Sequence, residues 1–246
     1  MITILLVIFL VLLLLVGKER GAKTFFSFIL SLFLLILYVR FMALGINPIL
    51  LAIIVCILAT VVSLFILNGY NNKTKSSFIS IMLVLMLIGL VIFFIGKASK
   101  VGGFSVEELD TVGMYNRDIN YNMNDVIMGI YLVCIIGTVI DTSISISSAM
   151  NEILVNNPNI SNEELFKSGM NVGKDILSTT INTLYFAIIS GFIGFFMWHR
   201  DASIGYVINY KAFAQEVLEL LLSFIASILI IPITAYISSK LLRKWF

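Results

Sequence analysis

Residues 126–153 read VIMGIYLVCIIGTVIDTSISISSAMNEI. Apart from Tyr131, Cys134 and Thr138, the run from Val126 to Ile140 carries no hydrogen-bonding side chain, and it carries no charge. The helix-forming pattern then continues straight through Asp141. Thr138, Asp141, Ser145, Ser148 and Glu152 recur at three- and four-residue spacing, which places them on one face of a helix. Asp141 falls about 15 residues past the outer start of this segment, deep in a span that needs roughly 20 residues to cross a bilayer. At that depth an aspartate costs about 2.5 to 3.5 kcal/mol on insertion scales, so it needs a partner or a purpose.

The same apolar grammar repeats outward in both directions. Of the 246 residues, 60% are apolar and only 12% are charged, and the mean hydropathy is +1.06. These values exclude a water-soluble core of ordinary composition. The chain reads as a single all-α transmembrane domain over residues 1–246, a polytopic helical membrane bundle of about seven spans. The expected spans are 2–16, 25–44, 49–67, 78–95, 126–150, 176–198 and 213–238. Turn residues punctuate the joints at Gly17, from Gly45 to Pro48, from Gly69 to Asn72 and from Asn156 to Pro158. Met1 to Val16 lacks a basic stretch before it and a small-residue cleavage site after it, so it reads as a true span.

Charge sets the expected topology. Lys18, Arg20 and Lys23, Lys73 and Lys75, Lys167 and Lys174, and Lys240, Arg243 and Lys244 fall on one side of a seven-span chain. By the positive-inside rule that side is cytoplasmic, with the N-terminus outside and the C-terminus inside. The formal net charge of +2 forms no continuous basic face, so no nucleic-acid partner is expected. Cys56 and Cys134 lie in apolar blocks without CxxC spacing, which reads as packing, with no metal site and no cofactor. Ser105 with Glu108 and Ser161 with Glu164 match the capping box that opens a helix, each in one of the two longest connections.

The sixth expected span carries Asn171, Asp175, Ser178 and Asn182 at matching intervals, with Lys174 beside them. Consecutive spans five and six run antiparallel as neighbours, so their polar faces are expected to oppose each other, with Lys174 near Glu152. Gly137, and in span six Thr183, Ala187, Gly191 and Gly194, are small residues of the type that lets membrane helices approach closely. The last span adds Glu216 and Glu219 as an expected interfacial ring, Ser223 and Ser227 deeper, and Pro232 as an expected kink. His199 beside Trp198 reads as an interfacial residue.

With these residues in view, the chain resembles the YibE/F-like family of bacterial multi-span membrane proteins. The matching stretches are GYNNKT at 69–74, GTVIDTSISISSAMNEI at 137–153, NPNISNEELFKSGMNVGKDILSTTINTL at 157–184, NYKAFAQEVLELL at 209–221 and PITAYI at 232–237. Lys174 stands where the resemblance leads one to expect arginine; the charge survives but bidentate hydrogen bonding does not. The resemblance implies the bacterial plasma membrane and a companion, a second membrane protein of the same family that carries an extracytoplasmic region. The hairpin of spans five and six is also similar, over a short stretch, to that of SecD/SecF and the resistance-nodulation-division permeases, where an aspartate at that place belongs to ion-coupled transport.

Two functions follow as expectations. The first is a transport or export subunit, proton- or ion-coupled through Asp141, whose path is lined by Thr138, Ser145, Ser148, Ser178 and Asn182 and flanked by Asp175, Lys174 and Glu152. The alternative is a scaffold or accessory subunit in which Asp141 makes a structural bond, for instance with Asn182. An intramembrane enzyme with Asp141 and Asp175 as paired acids is a weaker third reading, because Asp175 falls near the cytoplasmic interface and no G-x-G-D, H-E-x-x-H or G-x-S-x-G motif is present.

Overall fold

A computed structural model of the chain describes residues 1–99, 102–103 and 122–244. The expected Ser105–Glu108 capping box lies outside them. Among the described residues every regular element is helical: α1 Ile2–Ala43, α2 Pro48–Val61, α3 Asn72–Ala98, α4 Met123–Asn156, α5 Asn162–Trp198, the short α6 Ile204–Asn209 and α7 Lys211–Lys244. A π-helical turn at Val62–Ile66 extends α2. Six of these helices are long and apolar enough to cross a membrane.

The first of the six contains both of the first two expected spans. Its 42 residues would be about 63 Å long if straight, twice the roughly 30 Å of the hydrocarbon layer. It is not straight, because Lys18 leaves the helical region with φ 47° and ψ −125°. The expected turn at Gly17 therefore sits one residue later, and the glycine it requires is Gly21. A side chain there would place Cβ 2.1 Å from the Leu13 carbonyl oxygen, so only glycine lets the second arm double so tightly against the first.

The other joints follow local chemistry. Asn47 accepts hydrogen bonds from the backbone N–H groups of Ile49 and Leu50, and Pro48 occupies the first helical position, where a missing N–H costs nothing. Asn71 and Thr74 cap α3 reciprocally after Gly69, whose φ is 75°. Ser161 and Glu164 form the expected capping box, with Glu164 N–H donating to Ser161 Oγ at 3.2 Å and Ser161 N–H to Glu164 Oε2 at 3.1 Å. The helix they open does not stop before the span; it is the first part of one continuous 37-residue helix. Pro232 lies inside α7 without ending it.

Helix α4 is the hub, packing against α2, α3, α5 and α7. Its inward face carries Met128, Leu132, Ile135, Val139, Ile146 and Met150, all buried. Outward-facing positions are apolar instead, among them Ile4, Phe28, Ile53, Phe94, Ile193 and Ile228. An apolar exterior on six long helices is the surface of a multi-pass membrane protein.

Polar side chains are used inside. Ser76 and Ser77 of α3, Ser143 and Ser147 of α4, and Thr234 and Ser238 of α7 are all fully buried. Ser147 Oγ lies 2.7 Å from Ser76 Oγ and donates to the Lys73 carbonyl at 2.9 Å. Ser143 Oγ lies 3.0 Å from Thr234 Oγ1, and Ser238 Oγ donates to Ser76 Oγ at 3.2 Å. Three helices are thus tied by hydroxyls small enough to permit close backbone approach. Ser147→Ala is expected to lower stability by about 1 kcal/mol, and a double-mutant cycle with Ser76→Ala to return a coupling near 0.6 kcal/mol. Denaturant titration in mixed micelles measures both; zero coupling would mean that the 2.7 Å contact contributes nothing to stability.

Candidate functional site

The polar stripe of α4 runs on a different face from this hydroxyl core. Residues 142–148 read TSISISS, so hydroxyls fall on both sides of the helix. Ser143 and Ser147 point into the bundle, whereas Asp141 and Ser145 are exposed. They open onto a groove of about 340 Å³ between α4 and α5. Thr138, Asp141, Thr142 and Ser145 form one wall, and Ile176, Thr179, Thr180, Thr183 and Leu184 the other. Asp141 makes no hydrogen bond and no ion pair among the described residues; the two ion pairs there are Lys23 with Glu19 and Arg200 with Asp201.

The wall supplied by α5 corrects the expected pairing of faces. Asn171, Asp175, Ser178 and Asn182 are exposed and do not line the groove. The threonines at 179, 180 and 183 take that place, about one residue, or roughly 100°, around the helix. Ser148, Glu152 and Lys174 also lie outside the groove lining, and Lys174 makes no ion pair with Glu152. Asp175 shares neither wall with Asp141, so the two acids are not assembled as a pair around one cavity.

The groove lies along the middle of α5, between a closely packed start and an aromatic contact of its far end with Phe213 of α7. Near its start Gly169 lies against Met150 and Ala235, and Gly173 against Ile231 and Ile146. Beyond Ile176 no residue of α5 is buried. The close approach expected at Gly137, Ala187, Gly191 and Gly194 is therefore not made among the described residues. Side chains added at the three glycines would meet nothing within 4 Å, and Ala187 is exposed. The glycines that bring α5 against the bundle are Gly169 and Gly173, which sequence reading passed over because they lie before the most apolar part of the segment.

The chain has its family from the whole of this region and beyond. A model of the YibE/F-like protein family matches residues 5–244, nearly the full length. The chain belongs to the YibE/F-like family. No curated protein and no solved structure matches it. Within this YibE/F-like chain the α4 stripe also extends one turn further than the sequence indicated. Cys134 lies on the same face as Thr138 and Asp141. Glu216 and Glu219 of α7 are half-buried. The phenol of Tyr131 donates to the Gln215 carbonyl at 3.1 Å, fixing α7 beside it.

His199 belongs to an aromatic cluster at the far end of α5. Its ring centroid is 4.3 Å from that of Phe195 and 5.6 Å from that of Tyr206, and Nδ1 lies 3.1 Å from the Phe195 carbonyl oxygen. Cys56 is buried and donates its S–H to the Leu132 carbonyl at 3.4 Å, as a packing residue does.

Proposed function

We propose that this YibE/F-like chain is the membrane subunit of a transport or export system in the bacterial plasma membrane, coupled to a proton or a cation through Asp141. Its N-terminus is outside, its C-terminus is cytoplasmic, and it works with a second membrane protein of its family that carries an extracytoplasmic region. The observation that carries this reading is an unpaired carboxylate opening onto a groove whose walls bear five threonines and one serine. Hydroxyls can solvate a cation or hold a water file, yet none of them neutralises the acid, so its charge is left to be set by what enters the groove. Differential protonation or ion binding then biases the position of α5 beyond Ile176, where it carries no buried residue and forms the opposite wall.

Single cysteines at Thr138, Thr179 and Thr183, in a background carrying Cys56→Ser and Cys134→Ser, test for a polar path. They are expected to react with membrane-impermeant thiol reagents in intact vesicles, while cysteines at the exposed apolar positions Leu221 and Ile228 of α7 do not. Equal inertness at all five positions would leave a dry groove and no path.

A second reading, that of a scaffold, is supported by the unpacked small-residue face of Ala187, Gly191 and Gly194, which is suited to a helix of another subunit. It predicts that Asp141→Asn acts through the yield of an assembled complex and not through flux.

A further inference from the structure

A second cavity, of about 540 Å³, lies on the other side of α4, between α2 and α3. These two helices each pack on α4 more than on one another. Ile53 and Ile57 form one wall and Met86 and Phe93 the other, over a floor that includes Leu132. Gly89 keeps the α3 wall low: a Cβ there would find Leu132 Cδ2 at 3.9 Å and nothing nearer. The floor is buried, at 4% exposure for Leu132, while Met86 on the rim is 73% exposed, so the cavity is a slot open along its side.

The length and lining of the slot suit an extended hydrocarbon chain. From Met82 to Phe93 the α3 lining spans about 16 Å at roughly 1.5 Å per residue, close to one leaflet of a hydrocarbon layer about 30 Å thick, and the walls are apolar along that length.

The mouth of the slot is charged. Lys97 follows Met82, Met86, Gly89 and Phe93 on the same face of α3, one turn past the last lining residue. Its ammonium sits 4.1 Å from the centroid of the Phe93 ring. It has no carboxylate partner among the described residues. An apolar slot of leaflet depth with a cation one turn above it, unpaired among the described residues, matches an acyl chain joined to an anionic headgroup.

We propose that the α2–α3 slot is a binding site for an anionic phospholipid, one acyl chain lying between Ile57 and Phe93 and the headgroup phosphate meeting Lys97. The site is separated from the Asp141 groove by α4 and does not depend on the transport reading. Native mass spectrometry of the detergent-purified protein, titrated with dioleoylphosphatidylglycerol or dioleoylphosphatidylcholine, tests it. The wild type is expected to hold one phosphatidylglycerol with about fivefold preference. Lys97→Gln removes the preference, and Gly89→Leu, which fills the slot, lowers retention of both lipids. Equal retention of the two lipids by the wild type overturns the proposal, as does undiminished retention in folded Gly89→Leu or a lipid-free dimer closed over this face. Lys97 is exposed, so the selectivity comparison stands even where Gly89→Leu fails to fold.

Discussion

Gly173→Leu is expected to prevent α5 from seating on the bundle. A Cβ at position 173 would sit 2.3 Å from Ile231 Cγ2 and 3.2 Å from both Ile231 Cβ and Ile146 Cδ1. Ile231 and Ile146 are β-branched, buried and held by α7 and α4, so neither can swing away. Even Gly173→Ala carries an overpacking cost of about 1 to 3 kcal/mol, against a gain of at most about 1 kcal/mol from better helix propensity. Three further carbons in leucine exceed what such a contact absorbs, and the α5 packing should be lost. Gly169→Ala is the milder change because the nearest atom it meets, at 2.5 Å, is the flexible Sδ of Met150. Gly191→Ala and Gly194→Ala meet nothing and should be neutral, or stabilising by up to about 1 kcal/mol. Thermal melting in detergent, followed by size-exclusion recovery, gives this order directly. A Gly173→Ala protein more stable than wild type would contradict the close approach of α5 to α4 and α7.

That order also shows where sequence reading succeeds and where it stops. Hydropathy and turn residues place the helices because the bilayer imposes one length on every span and helix ends need caps, as at Asn47, Asn71 and Ser161. They do not reveal that spans one and two form a single element broken at Lys18, since a helix break between apolar runs and a loop between them have the same composition. The stripe through Thr138, Asp141 and Ser145 was legible, being a fixed spacing within one helix. Its counterpart on α5 was not. Which face of α5 turns to α4 is decided by Gly169 and Gly173, and that rotation puts Thr179, Thr180 and Thr183 opposite Asp141 in place of Asp175, Ser178 and Asn182. The buried hydroxyl core had a readable signal in the four-residue pairs Ser143 and Ser147, Ser76 and Ser80, and Thr234 and Ser238. It was hidden by their neighbours: in TSISISS a hydroxyl is available for either face, and only packing decides which one is buried.

Asp141→Asn separates the two functional readings by moving stability and function in opposite directions. Asparagine keeps the size and one acceptor oxygen of aspartate but cannot carry its charge. Because Asp141 has no bond to lose among the described residues, the substitution removes an insertion cost of about 2.5 to 3.5 kcal/mol on the aspartate scale and part of that should appear as a higher melting temperature. A structural aspartate paired with a neighbour would give the reverse, a fall in stability and in complex yield. Asp141→Glu restores the charge with one more methylene and should recover part of any lost activity.

The decisive measurement is ion uptake by proteoliposomes holding the purified protein with any partner that co-purifies, followed with an entrapped pH-sensitive dye after a pH jump and repeated with a cation indicator. The wild type is expected to show uptake, Asp141→Glu partial uptake, and Asp141→Asn uptake no greater than that of protein-free vesicles although it melts at or above the wild-type temperature. Wild-type rates in Asp141→Asn would contradict coupling through Asp141.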